Sequence, residues 1–256
     1  MKSIYILLPP SENKLEGGEK PYFQIKHNNN FNQINSTREI LYSKLINQIK
    51  NLDSKELEKV FKVKDKNLDK AIYLLNNISE GKTLPSINRF DGVMFKAINY
   101  TSLNEKQKEN FNKKILFIDG LFGLLKPKDL IPNYKLPIDA KLNQLNLCKF
   151  WKTELEKIFL NLFENSIVID LLPRSHKKVL TIPNSCEYYT ISFAELKNNK
   201  LKQVGHFSKL LKGELIIYLI NQTKITKDTF LKFKHTSGYS FSKKYSNENS
   251  ILYLKE

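Results

Sequence analysis

The chain has 256 residues, 41% of them hydrophobic, and a formal net charge of +16 from 42 Lys and Arg against 26 Asp and Glu. That apolar share supplies a sizeable core for one large or two small domains. The longest apolar run, Leu215-Ile216-Ile217-Tyr218-Leu219-Ile220, is far shorter than the roughly 20 residues of a spanning helix, which excludes a helical membrane span.

Ser3 to Leu8 reads as a buried first strand, too short and too weakly charged at its start for a secretory signal. Pro9 to Lys20 is a loop punctuated by Pro and Gly, and the Asn-rich piece from His27 to Asn35 reads as a surface excursion without assigned function. Ile40, Leu41, Leu45, Ile49 and Leu52 fall at helical spacing over Thr37 to Leu52, with Ser36 or Thr37 as cap. Two short helices follow, Ser54 to Lys62 and Asn67 to Asn77, around a basic turn at Val63-Lys64-Asp65-Lys66. Asn104 to Lys114 is a polar helix, and Ile115 to Ile118 a central strand ending in Asp119-Gly120-Leu121-Phe122-Gly123.

Leu142 to Phe163 reads as a long amphipathic helix carrying Trp151, expected in the core, and Ile167 to Ile169 as another buried strand. Beyond it the pattern predicts strands at Tyr188 to Phe193 and Val204 to Phe207 around a turn at 198–200. A helix over Ser208 to Asn221 and a closing hairpin of Tyr239 to Tyr245 with Ile251 to Leu254 complete the chain. No repeat or long linker divides it, so residues 1–256 are expected to form a single domain of mixed α/β (α+β) class, with a central mixed sheet and flanking helices.

The charge draws polyanions over about a Debye length, and nucleic acid is the obvious partner. The chain also holds 39 Lys, 3 Arg and 27 Asn, the mark of an A/T-rich coding bias that raises lysine without any binding role. Charge alone leaves the two readings level. With so few arginines, contacts to DNA are expected at phosphates rather than base edges.

Ile118-Asp119-Gly120-Leu121-Phe122-Gly123-Leu124-Leu125-Lys126-Pro127-Lys128-Asp129-Leu130, followed by Tyr134-Lys135-Leu136, resembles the signature segment of the YaaA family. Supporting matches are Pro9-Pro10-Ser11-Glu12-Asn13-Lys14, Phe90-Asp91-Gly92-Val93-Met94-Phe95, Phe150-Trp151, Ile169-Asp170-Leu171 and Gly238-Tyr239. The resemblance implies a single compact domain with a basic cleft, a helix-hairpin-helix DNA-binding element, and a part in surviving hydrogen peroxide by limiting free iron and its damage to DNA. Two departures stand out: Asp170-Leu171-Leu172-Pro173-Arg174-Ser175-His176 replaces an Asn-Leu-Ala-Ser-type run, and Lys212 before Gly213 stands where arginine is expected.

Three constellations carry candidate chemistry. The short helix pair offers backbone amides to a phosphate, with Lys62, Lys64, Lys66 and Lys70 adding charge, although the usual Gly-apolar-Gly hairpin is absent and a plain αα-hairpin explains the same pattern. Gly120 and Gly123 with Lys126 and Lys128 form either a phosphate cradle or a packing turn from strand to helix. Lys14, Lys209, Lys212 and the Lys177-Lys178 pair are further cleft candidates. Ser11, Glu12 and Lys14 follow a core strand, where α/β folds place ligands, so an enzyme acting on a phosphorylated or nucleotide-like molecule is the rival reading. His27, His176, His206 and His235 lack metal-ligand spacing, which disfavours a third reading, direct iron sequestration. No metal or cofactor is expected. The two cysteines, Cys148 and Cys186, suggest no disulfide framework, which suits a cytoplasmic protein without a membrane partner; a monomer is favoured.

Overall fold

The computed structural model describes residues 2–255 apart from 199 and 206. Strands fall where apolar runs are bounded by turn residues: β1 Ile4–Leu8, β2 Ile115–Asp119, β3 Gly123–Leu125, β4 Ile167–Asp170, β5 Glu187–Lys197, β6 Lys200–Gln203, β7 Ser240–Phe241 and β8 Ser250–Lys255. They form one eight-stranded sheet in the order β7-β8-β5-β4-β1-β2-β3, with β6 paired to β5. Every residue of β2 and β4 is buried, as covered parallel strands require. Pairing is parallel from β2 through β1, β4 and β5 to β8, and antiparallel only where β3, β6 and β7 join. Taken in chain order, the parallel strands therefore lie 2-1-3-4-5. Such a sheet brings two carboxyl ends that turn to opposite sides, here β1 and β4, next to each other and opens a crevice outside them.

The helices longer than one turn are α1 Asn35–Ile49, α2 Ser54–Phe61, α3 Asp65–Asn76, α4 Val93–Ile98, α5 Glu105–Lys114, α6 Leu147–Phe163, α7 Ser208–Ile220 and α8 Lys227–Lys232. Asp53 with Glu56 and Asn104 with Gln107 form capping boxes that fix the starts of α2 and α5. One large hydrophobic cluster runs from β1 through Phe117, Trp151 and Phe159 to Tyr253, with a small second one at Ala194, Leu252 and Leu254, so the chain is one compact α/β domain. Gly213 lets α7 approach α4 closely: a Cβ there would stand 2.3 Å from Ala97 Cβ.

Several sequence expectations shift. The strand expected over Val204–Phe207 falls instead on Lys200–Gln203, because those residues pair with Ala194–Lys197 across the turn; residues 199 and 206 lie outside the described residues. The helix expected from Leu142 starts at Leu147, since Lys141–Leu142 and Leu145–Asn146 pair as a small hairpin and Asn146 caps the helix. α1 begins at Asn35 without a side-chain cap from Ser36 or Thr37, and Ile40 is exposed. The Asn-rich stretch is partly internal: Asn29 is buried, its side chain accepting from the Leu130 amide and donating to the Leu130 carbonyl. Helix α8 was not legible, and the turn after β2 leads into an antiparallel strand, not a helix.

Candidate functional site

A cleft of about 770 Å³ opens at the carboxyl ends of the parallel strands. Pro9 to Lys14 leave β1 along its floor, Asp119 ends β2, Pro173 to His176 follow β4, and Lys209 and Lys212 come from the first turns of α7. Lys62 reaches it from the end of α2. The volume suits a small organic ligand or one nucleotide.

Each wall has a local cause. Asn13 and Lys14 pair with Asp91 and Phe90, which ties the loop after β1 to the segment before α4. Behind it, buried Arg89 donates to the carbonyls of Leu15, Gly17, Lys82 and Ile131. Asp119 is buried at the strand end, accepting from the Leu121 and Phe122 amides at 2.8 and 2.9 Å and from the Tyr134 hydroxyl. Asp170 repeats the arrangement on the other side of β1, accepting from the Leu172 amide and the Tyr188 hydroxyl and pairing with Lys177 at 2.8 Å. Charged residues that end buried strands are the sequence signal that marks both.

The structure brings together some of the candidate cations and separates the rest. Lys14, Lys62, Lys209 and Lys212 line the cleft, joined by Lys135, which composition alone does not single out. Lys64 pairs loosely with Glu58 on the same hairpin, Lys70 pairs with Glu16, and neither these nor Lys66 line the cleft. Lys126 and Lys128 lie outside it as well. Gly120 and Gly123 are packing glycines: a Cβ on Gly120 would sit 2.5 Å from the Leu136 carbonyl oxygen, and one on Gly123, whose φ is +71°, 2.5 Å from the Trp151 ring. The tryptophan, fully buried, donates Nε1–H to the Gly120 carbonyl at 2.8 Å. The short helix pair is present as α2 and α3, with left-handed backbone at Lys62 and Asp65 in place of hairpin glycines.

Electrostatically the cleft is mixed. Five lysines face four carboxylates, Glu12, Asp91, Asp119 and Asp139. Lys135 pairs with Glu12 and Lys62 with Asp139, each at 2.6 Å. The Lys135 hydrogen bond holds the Glu12 carboxyl below its ordinary value. Lys209 has no carboxylate within ion-pair distance among the described residues. Lys14 is half-buried: its ammonium donates to the Ser11 carbonyl at 3.0 Å and lies 4.1 Å over the Tyr134 ring. Burial pushes its pKa down to about 8, against the opposing pull of Asp119. Burial likewise pushes Lys212 to about 8 and His176 to about 4.

For Lys14 the sign is set by a folded value below the ordinary 10.5. The buried charge costs stability below about pH 8, and the cost fades as pH rises toward 10.5, because only the unfolded chain then holds the proton. Lys14→Met should therefore raise unfolding free energy at pH 7 by about 1–3 kcal/mol. The gain should shrink by pH 9.5, measured by urea midpoints at both pH values.

Among the described residues, no set of three or more His, Cys, Asp or Glu is gathered to hold a metal, both cysteines are free, and no helix is long and apolar enough to cross a membrane. His206 lies outside the described residues.

The fold and its cleft define an α/β protein with a charged cleft at the switch point of a mixed, mostly parallel sheet. The model of the family described as peroxide stress protein YaaA matches residues 4–245, and the chain belongs to that family. It is similar to a UPF0246 protein of Rickettsia conorii, 26% identical over 225 residues that cover 84% of this chain and 88% of the relative. A UPF0246 protein of Rickettsia bellii is 28% identical over 226 residues, 84% and 90% of the two chains. One from Francisella philomiragia is 26% identical over 224 residues, 83% and 88%.

Proposed function

We propose that this peroxide-stress protein binds DNA with little sequence preference, seating phosphates along the cleft rim and the α2–α3 hairpin, and so limits iron-dependent oxidative damage to DNA in the cytoplasm. One observation carries the reading: Lys62, at the hairpin, lines the same cleft as Lys135 and Lys209, so one end of the helix pair adjoins the concave face. The exposed Lys62–Asp139 pair is weak enough to exchange its carboxylate for phosphate. Two of the three arginines, Arg38 and Arg89, are spent on internal carbonyls, which leaves lysine as the main donor and favours contacts to the backbone over base edges. Binding of a fluorescent duplex, titrated from about 50 to 200 mM salt, tests this; a steep linear fall of log affinity with log salt supports it, and absence of binding at the low end defeats it.

A second reading has its own support. The cleft floor, with Ser11, Lys14 and His176 at the strand ends, has the size and placement of a small-molecule site, so a phosphorylated or nucleotide-like compound is the alternative ligand. Protection from peroxide that survives loss of DNA binding but not replacement of Ser11 and Lys14 would favour it.

A further inference from the structure

Lys14 differs from the other cleft lysines in what surrounds its nitrogen. Lys62 and Lys135 hold carboxylates at 2.6 Å. Lys14 has none within ion-pair distance among the described residues; its partners are one carbonyl, that of Ser11, and the faces of Tyr134 and Phe90, 4.1 and 5.7 Å from the nitrogen. The aromatic faces favour the ammonium form, as does the charge of Asp119, whereas burial pushes the pKa down to about 8. A lysine desolvated in this way is a nucleophile at neutral pH.

The neighbouring hydroxyl does not compete. Ser11 donates to the Asp91 carbonyl instead of meeting Lys14 Nζ, so no base activates it. Pairing of Lys14 with Phe90 fixes the strand, and Arg89 locks the segment behind it, so the amine is held on the cleft floor and not on a free arm. Lys135 and Lys209 stand in the same cleft, where a phosphate can sit.

We propose that Lys14 forms a covalent imine with an open-chain sugar aldehyde that carries a neighbouring phosphate. The neutral Nζ adds its lone pair to the aldehyde carbon, and the carbonyl pair moves to oxygen, which takes up a proton as nitrogen gives one up. The resulting carbinolamine takes up a second proton and expels water, leaving a protonated C=N bond. Amine, aldehyde and one proton thus give iminium and water, with no oxidant or reductant. The phosphate-flanked aldehyde has two sources: the ring-opened deoxyribose of an abasic site in DNA, or a free aldose phosphate. The first rests on the DNA reading above and the second on the small-molecule reading.

Borohydride reduction tests the imine directly. The full chain is incubated with an abasic duplex, with the same duplex intact, or with free deoxyribose 5-phosphate, then reduced and digested, and the modified peptide is located by mass. The expected result is a stable adduct on Lys14 from at least one aldehyde, none from intact duplex, and loss of the adduct in Lys14→Arg. An adduct from the abasic duplex alone assigns the DNA source, and one from the free sugar phosphate alone assigns the small molecule; either upholds Lys14 as the nucleophile. No adduct from either aldehyde, or one spread over other lysines, overturns the proposal. Because mapping is done on the wild-type chain, a folding defect in the variant does not mask the answer. Affinity for intact duplex, measured in parallel, separates failure of this proposal from failure of the DNA reading.

Discussion

Arg89→Leu should lower the unfolding free energy by at least about 3 kcal/mol, since hydrogen bonds to a charged group contribute about 1.5–3 kcal/mol each and carbonyls stripped of their donor bear a further cost. The guanidinium is fully buried and donates to the carbonyls of Leu15, Gly17, Lys82 and Ile131, which belong to three separate stretches of chain. Leucine restores apolar volume but satisfies none of these acceptors. Arg89→Lys should fall between the two, because one ammonium cannot span the fork that a planar guanidinium fills. The damage should concentrate on the loop after β1, where the Leu15 amide donates to the Arg89 carbonyl at 2.8 Å. Urea midpoints give the stability loss, and hydrogen exchange at Leu15 locates it. A midpoint for Arg89→Leu unchanged from wild type would show that the loop is held by something else.

The largest functional effect is expected from Lys62→Ala, Lys135→Ala and Lys209→Ala combined. A lysine on a phosphate contributes roughly 0.9 to the slope of log affinity against log salt, so removing three should flatten the slope by about 3 units. Affinity near physiological salt should drop by several powers of ten in consequence, toward loss of detectable binding. Lys106→Ala, Lys152→Ala and Lys157→Ala combined, on exposed faces of α5 and α6 away from the cleft, remove the same charge and should leave the slope nearly intact. Equal losses in both variants would mean that net charge, not the cleft, drives association.

Much of the frame was legible because it rests on short-range pattern. The apolar runs at Ser3–Leu8, Ile115–Ile118 and Ile167–Ile169 announced strands, and apolar residues at helical spacing announced α1, whereas the capping boxes at Asp53 and Asn104 emerged with the structure. The strand order did not follow from pattern, since it depends on which parallel neighbour each strand finds across a hundred or more residues. Gly120 and Gly123 pack closely against Leu136 and Trp151, an approach between distant segments that a sequence does not show.

Among the lysines, position in the fold decided what composition could not. Lys14 after β1, Lys62 after α2, and Lys209 and Lys212 on α7 come from three distant segments and converge, whereas Lys126 and Lys128, within the family-like signature, lie outside the cleft. Lys114, one more lysine in a basic helix by sequence, is buried and caps the end of α7 through the Ile220 and Gln222 carbonyls. Asp139 carries no motif of its own, and Lys135 and His176, quoted by sequence without a place in the cleft, become visible as its walls only in the fold.

Lysine acetylation with and without duplex DNA, read residue by residue by mass, tests most directly whether the cleft rim and the α2–α3 hairpin form one binding surface. Lys62, Lys135 and Lys209 should be protected together by the duplex, while Lys106 and Lys157 acetylate at unchanged rates. Uniform protection over all exposed lysines, or protection that spares Lys62 and Lys209, would contradict it.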